Sequence, residues 1–152
     1  MNGKYVGVDI GAETIKLVSV VAHGPSVTID FRFHDNHNKD PHAVLRQVLS
    51  SREFAGADGI AVTGRLQRVL RAEGVPAKAA LRRGVRQVHP ELAAVTVISV
   101  GAHGFSVLEL GANGEEWYSQ NARCSQGTGN FLTQLVKRFG LTVQEASSFA
   151  TP

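Results

Sequence analysis

Gly7-Val8-Asp9-Ile10-Gly11-Ala12-Glu13-Thr14-Ile15-Lys16-Leu17-Val18 is the stretch on which the fold turns. Tyr5 to Ile10 reads as a buried strand, Gly11-Ala12-Glu13 as a tight turn, and Thr14 to Val21 as a second strand rich in β-branched residues. The layout recurs at an offset of 90 positions: Ser99-Val100-Gly101-Ala102-His103-Gly104-Phe105-Ser106-Val107-Leu108 again follows an apolar strand, makes a Gly-Ala turn and starts another strand. Outward from the first copy, Gly24-Pro25 turns the chain. Val27, Ile29, Phe31 and Phe33 then alternate with Thr28, Asp30, Arg32 and His34, the period of a half-buried third strand. Outward from the second copy, Asn113-Gly114 is a hairpin signal, and Trp117 and Tyr118 sit in a third strand.

Helices complete each copy. Asp40-Pro41 is an N-cap with proline at N1, and Val44, Leu45, Val48 and Leu49 form the apolar stripe of the first helix. Gly59 to Val62 reads as a short strand leading through Thr63-Gly64 into a helix carrying Leu66, Val69 and Leu70, ended by Gly74 and Pro76. A further helical or irregular stretch reaches His89-Pro90. In the second copy, Leu132, Leu135, Val136 and Phe139 mark a helix that Gly140 closes, and Thr142-x-x-Glu145 is a capping box for another. Two copies of strand–strand–strand–helix predict a duplicated α/β fold of two lobes with a cleft between them, one over residues 1–92 and the other over residues 93–152. Each lobe opens with an antiparallel three-strand meander. The second copy stops before any equivalent of the later elements of the first, so the second lobe reads as truncated.

Composition narrows the class. The 152 residues are 43% apolar and 19% charged, enough apolar matter to offset the ordering entropy of a folded domain. No apolar run approaches the roughly 20 residues of a bilayer crossing. The N-terminus runs from Lys4 straight into a strand, which is not the layout of a cleaved signal peptide. One cysteine, Cys124, excludes an internal disulfide framework and fits a reducing cytoplasm. The formal net charge of +3 is too mild to imply nucleic acid. Arg65, Arg68, Arg71, Lys78, Arg82, Arg83 and Arg86 form a basic stretch whose ordinary reading is a solvated helix face. A phosphate-rich partner is the other reading, and a nucleic-acid binder built on this fold lacks the acidic cluster of two-metal nuclease chemistry. His34, His37 and His42 lie near Asp35 and Asp40 without ligand spacing.

The turns carry the chemistry. Successive backbone N–H groups in a tight Gly-containing turn attract phosphate oxygens, and glycine permits close approach. Asp9 beside the first turn suits Mg²⁺ held through water, and Lys16 suits phosphate neutralisation. Either turn alone is a common structural feature, and two in a duplicated frame suit the two sides of one polyphosphate. Cys124 lies in Asn121-Ala122-Arg123-Cys124-Ser125-Gln126-Gly127-Thr128-Gly129, at the approach to a strong helix. A lone cysteine is ordinarily a small buried hydrophobe. Helix-start N–H groups favour its thiolate, which suits a soft metal or an iron–sulfur cluster better than a nucleophilic role.

With these residues in view, the first hairpin resembles the phosphate hairpin of the actin/Hsp70/sugar-kinase superfamily, whose lobes are ribonuclease-H-like. The segment from Asn121 to Leu132 is similar to the N-x-K-C-A-A-G-T-G-R-F-L segment of the CoA activase group, the ATPase activators of 2-hydroxyacyl-CoA dehydratases and the ATPase subunits of benzoyl-CoA reductase. Val62-Thr63-Gly64 and His89-Pro90-Glu91 follow the same family in order. The resemblance implies a cytoplasmic homodimer that binds ATP or ADP with Mg²⁺ and carries one [4Fe-4S] cluster between subunits. The cluster passes an electron to a partner dehydratase or reductase, with no membrane and no nucleic acid involved. By residue match, Asp9 organises Mg²⁺ through water, Gly11, Ala12, Glu13 and Thr14 cradle phosphate with Lys16 nearby, and Cys124 is a cluster ligand. Gly101, Ala102 and His103 form the second phosphate turn, and Gly127, Thr128 and Gly129 lie beside the nucleotide.

The departures are specific. Where the family's second turn is like D-I-G-G-Q-D, this chain has Ser99-Val100-Gly101-Ala102-His103-Gly104, so both acids are replaced and His103 stands for the amide. Loss of groups that hold Mg²⁺ and orient water weakens hydrolysis. Ala77 to Leu81 replaces the family's E-I-x-x-H element, and one cysteine per chain gives a dimer two thiolates where a cluster takes four. The alternative expectation is a non-catalytic, nucleotide-binding or regulatory relative.

Overall fold

β1 (Asn2–Ile10) and β2 (Thr14–His23) form a hairpin in which every residue of β1 has a partner, from Asn2 opposite His23 to Ile10 opposite Ile15. The computed structural model describes residues 2–101, 104–121 and 128–150. They belong to two units, Met1–Gly84 and Val85–Pro152. In the first, β3 (Ser26–Asn36) pairs antiparallel with β2, while β4 (Gly59–Thr63) and β5 (Glu73–Gly74) add in parallel beyond β1, giving the order β3-β2-β1-β4-β5.

Alternation decides what each face does. Val6, Val8 and Ile10 on β1 point to one side with Ile15 and Leu17 on β2 and Val62 on β4, and all six are buried. Helix α1 (Pro41–Leu49) covers that side with Leu45 and Val48, and Phe54 completes the core. Burying each such side chain stabilises by roughly 1.5–3 kcal/mol. The Asp40 side chain accepts the Ala43 N–H at 3.0 Å, the cap the sequence predicts.

Two local expectations give way. Ile29 and Phe31 are 40% and 42% exposed, because β3 breaks register where Ser19 faces Phe31 and Val20 faces Ile29, leaving Asp30 as the extra residue. The Asp30 carboxylate accepts from the Ser19 hydroxyl at 3.2 Å and lies 3.5 Å from Lys4 Nζ, which fixes the bulge. The helix expected over Leu66, Val69 and Leu70 is a single 3-10 turn, Gln67–Val69. The Leu66 amide donates to Ile10 O at 2.9 Å and the Val75 amide to Val62 O at 2.7 Å, so the chain is pulled back onto the sheet as β5. The helical stretch before His89 is α2 (Ala77–Val88).

The second unit holds an antiparallel sheet in the order β6 (Val95–Gly101), β7 (Gly104–Leu110), β8 (Glu116–Gln120). Gly114 takes φ +87° in the β7–β8 turn, where Gly111 N–H donates to Glu115 O at 2.7 Å. Helix α3 (Thr128–Arg138) ends in a Schellman arrangement: Gly140 has φ +69°, and the Gly140 and Leu141 amides donate to Lys137 O and Val136 O. Helix α4 (Val143–Ala150) is capped as predicted, with the Thr142 amide on Glu145 Oε2 at 2.7 Å and the Glu145 amide on Thr142 Oγ1 at 3.2 Å. The duplication extends to register: Asp9 faces Lys16 and Ile10 faces Ile15 in the first hairpin, and Ser99 faces Ser106 and Val100 faces Phe105 in the second.

Candidate functional site

The β1–β2 turn is closed by one hydrogen bond, Gly11 N–H to Thr14 O at 2.9 Å. A Cβ at Gly11 would stand 3.1 Å from that oxygen, so the turn needs glycine for its tightness. Ala12 and Glu13 occupy the tip, and the Glu13 carbonyl accepts from the His37 amide at 2.9 Å, which ties the tip to the end of β3. Alternation sends Asp9 and Lys16 to the sheet face opposite α1. There Lys16 Nζ lies 3.5 Å from Asp9 Oδ2, the two side chains being 57% and 39% exposed. An ion pair this open contributes at most about 1 kcal/mol to stability. Its value is chemical, a carboxylate and an ammonium held together at the mouth of a phosphate-type turn.

Thr63 and Gly64 complete the place; the sequence shows them as the end of a short strand and as part of a family-like Val62-Thr63-Gly64, but assigns them no site role. Thr63 faces Asp9 in the parallel β1–β4 ladder, and its buried hydroxyl has no hydrogen-bond partner among the described residues. Gly64, at φ +95°, passes so close that a Cβ would overlap Asp9 Oδ1, Ile10 O and Ile10 C. The usable signal is a Thr-Gly pair at the carboxyl end of a parallel strand, where open sheets bind ligands. A cavity of about 660 Å³ opens from Asp9 and Lys16 across the same face, floored by Gly7, Val18 and Ala61. Arg32, His34 and Arg83 stand at its rim and make no ion pair among the described residues. That volume is typical of small-molecule sites, which run from roughly 300 to 1,000 Å³. The rim favours an anion.

His37, behind the turn, is only 3% exposed, and neither ring nitrogen has a partner among the described residues. In the second hairpin Gly101 pairs with Gly104, and Ala102 and His103 lie outside the described residues. So do Cys124 and Gly127, while Thr128 and Gly129 begin α3. Among the described residues no group of three or more His, Cys, Asp or Glu could hold a metal. No described helix is long and apolar enough to cross a membrane. Of the basic stretch, Arg65, Arg68, Arg71, Lys78, Arg82 and Arg83 are exposed, whereas Arg86 donates to the carbonyls of Leu92 and Ala93.

No protein-family model and no curated protein matches the chain. Solved structures do. The activator of the 2-hydroxyisocaproyl-CoA dehydratase from Clostridium difficile, with bound ADPNP, superposes with a TM-score of 0.72 at 26% identity over 98% of this chain. An exopolyphosphatase from Cytophaga hutchinsonii gives 0.58 at 13% identity over 81%, and the Aquifex aeolicus member of the Ppx/GppA family 0.54 at 11% over 78%. The chain spans 57% of the length of the activator, 52% of the exopolyphosphatase and 50% of the Aquifex protein. The mixed α/β architecture is thus ribonuclease-H-like, of the actin/Hsp70 type.

Proposed function

We propose that this chain is the N-terminal, nucleotide-binding portion of an ATP-dependent activator whose partner is a 2-hydroxyacyl-CoA dehydratase or benzoyl-CoA reductase type enzyme. The observation that carries the reading is the Asp9–Lys16 pair beside the closed Gly11–Thr14 turn, with Gly64 packed against the Asp9 carboxylate. Likeness to a nucleotide-bound activator over 98% of the chain supports it. The residues fit Mg-nucleotide. Mg²⁺ keeps most of its waters and takes one or two carboxylates, and Asp9 is open enough to act through water. When bound, the ion neutralises charge on the phosphates. With the Gly11 amide held by Thr14 O, Gly11 shapes the turn for close approach, the backbone from Ala12 to Thr14 faces phosphate oxygens at its tip, the Thr14 hydroxyl adds a donor, and Lys16 adds a positive charge.

The cluster is a different matter. A [4Fe-4S] cluster takes four thiolates, and the chain has one cysteine. Within these 152 residues the donor set does not fit such a cluster, even counted twice in a homodimer. Electron transfer to the partner enzyme therefore belongs to this reading only with thiolates from outside these residues joining Cys124.

The second reading, a nucleotide-binding relative without hydrolysis, is favoured by one observation. Where Asp9 faces Lys16 in the first hairpin, Ser99 faces Ser106 in the second, so the second turn has neither charge. Calorimetric titration with MgADP tests both readings together. Wild type should bind, and Asp9→Asn should bind at least about tenfold more weakly, the loss of one charge-assisted contact. Equal affinities would remove the first hairpin from the site. Turnover of ATP then separates an activator from a silent relative.

A further inference from the structure

The ordinary reading of the basic stretch from Arg65 to Arg86 is a solvated helix face, and the fold removes that reading for its first half. The Gln67, Val69 and Leu70 amides donate three residues back, to Gly64 O, Leu66 O and Gln67 O, and Leu70 is already extended at φ −108°, ψ 127°. Leu66, Val69, Leu70 and Ala72 pack against the core of the first unit, while Arg65, Arg68 and Arg71 are all exposed. Residues three apart eclipse in a 3-10 turn at a rise of about 6 Å, so Arg65 and Arg68 share one outward line. Arg71 follows where the chain extends into β5, the edge strand of the sheet, and exposed Lys78, Arg82 and Arg83 on α2 come directly after it. Glu73 is the only acid in this stretch, a local excess that the net charge of +3 conceals. Arg65, Arg68, Arg71 and Arg83 make no ion pair among the described residues. Six of the seven cations are arginine, whose planar fork grips an oxyanion through two hydrogen bonds, where lysine acts as a hydrated point charge.

We infer that the β5 edge of the first unit is a docking surface for an extended chain of phosphates, the chemistry shared by a nucleic-acid backbone and an inorganic polyphosphate. Charge complementarity carries the inference: unpaired arginines set about 6 Å apart meet successive oxyanions along such a chain. The rest of the edge favours phosphate over an acidic protein. No large apolar residue between Arg65 and Arg86 is exposed, and none there is aromatic. Protein interfaces are anchored on apolar and aromatic side chains at their centre. Binding driven by counterion release from phosphates needs no such anchor. With no aromatic ring for a base to stack on, the surface reads backbone charge and not sequence. The inference goes beyond the activator reading and stands apart from it, since the β1–β2 turn takes no part.

Fluorescence anisotropy of a labelled DNA duplex of about 20 base pairs, titrated with the 152-residue chain between about 50 and 200 mM salt, reads the binding directly. Engagement of the six exposed cations should make log K fall against log salt with a slope of about −5. Arg65→Gln/Arg68→Gln/Arg71→Gln should weaken binding at least about tenfold at the lowest salt and flatten the slope by about 3. Lys39→Gln/Arg46→Gln/Arg52→Gln removes the same charge from exposed positions elsewhere in the first unit and should leave the slope unchanged. Hydrogen exchange on wild type keeps the test decisive if the first triple variant fails to fold, because amides of residues 65–74 should gain protection on the duplex. Competition with inorganic polyphosphate identifies the source: displacement charge for charge points to the free anion, and a surviving preference for the duplex to nucleic acid. Absence of binding at the lowest salt overturns the inference, as does an equal loss in the two triple variants. So does displacement of the duplex by polyglutamate as readily as by polyphosphate, which would mean an acidic protein surface. Displacement by saturating MgADP would move the anion to the β1–β2 turn and overturn it as well.

Discussion

Gly64→Ala is the perturbation that most directly tests the geometry at Asp9. Two costs add. Gly64 has φ +95°, and a residue with a Cβ in left-handed backbone is disfavoured by about 1–2 kcal/mol. The new methyl would also stand 2.5 Å from Ile10 O and 2.8 Å from Ile10 C, closer still to Asp9 Oδ1. Neither Ile10 atom can swing away, since that carbonyl is held by the Leu66 amide and sits in the strand at the sheet centre. Forcing the backbone apart adds a strain cost of about 1–3 kcal/mol. Gly24 isolates the first cost, because its φ is +59° with nothing within 4 Å of a Cβ. Urea unfolding followed by circular dichroism, with Trp117 emission reporting the second unit separately, should therefore rank Gly64→Ala well below Gly24→Ala in stability. MgADP affinity should fall only in the Gly64 variant, whose methyl displaces the Asp9 carboxylate. Equal destabilisation by the two substitutions, or unchanged MgADP binding at Gly64→Ala, would refute the close packing of Gly64 on Asp9.

Three further outcomes are expected. Asp40→Ala removes the cap on Ala43 and should cost about 1 kcal/mol of first-unit stability in the same urea titration, with Asp40→Asn recovering most of it. The Thr142 amide, and then its hydroxyl, hold the Glu145 carboxyl below its ordinary range. The contribution of this cap is therefore present above the unfolded-state value and lost as pH falls through the lowered one; α4 helicity should drop on acidification below about pH 4.5, and Glu145→Gln should flatten that acid limb. His37→Leu replaces a buried imidazole with no partner among the described residues by an apolar group of similar size, and thermal unfolding should show no loss of stability.

Legibility followed the range of the interactions. The β1–β2 hairpin, the Asp40 cap and the Thr142–Glu145 box are decided within a few residues, by period-2 alternation, a Gly-Ala turn and side chains that reach their own backbone, so the sequence displays them. Residues 65–74 show the opposite case. Leu66, Val69 and Leu70 fall at helical spacing, but acceptors on distant strands, Ile10 O and Val62 O, take the Leu66 and Val75 amides and leave one 3-10 turn. Phe54 was invisible for a similar reason: it is a lone aromatic in an irregular segment, with no periodic partner to mark it as core. Ile29 and Phe31 keep their alternation in sequence while a bulge at Asp30, anchored on Ser19 and Lys4, disturbs the ladder under them.

The site divides along the same line, and the division bears on catalysis. Asp9, the Gly11–Thr14 turn and Lys16 are close in sequence, and two-residue alternation is enough to put Asp9 and Lys16 on one face. Thr63 and Gly64 reach that face only through the parallel β1–β4 ladder, a pairing across more than 50 residues that no local pattern announces. The second hairpin repeats the ladder geometry of the first with the register intact, Ser99 opposite Ser106 where Asp9 faces Lys16. Backbone geometry and side-chain chemistry therefore part company between the two hairpins: the ladder is the same, and the second has two serines where the first has a charged pair. Phosphate binding by backbone N–H groups depends on the former, and charge-assisted activation of water on the latter. Ser99→Asp places a carboxylate at the second turn in the ladder position that Asp9 holds at the first. A gain of ATP turnover over wild type in that variant would show that a carboxylate at position 99 assists hydrolysis, whereas tighter MgADP binding with unchanged turnover would confine its effect to binding.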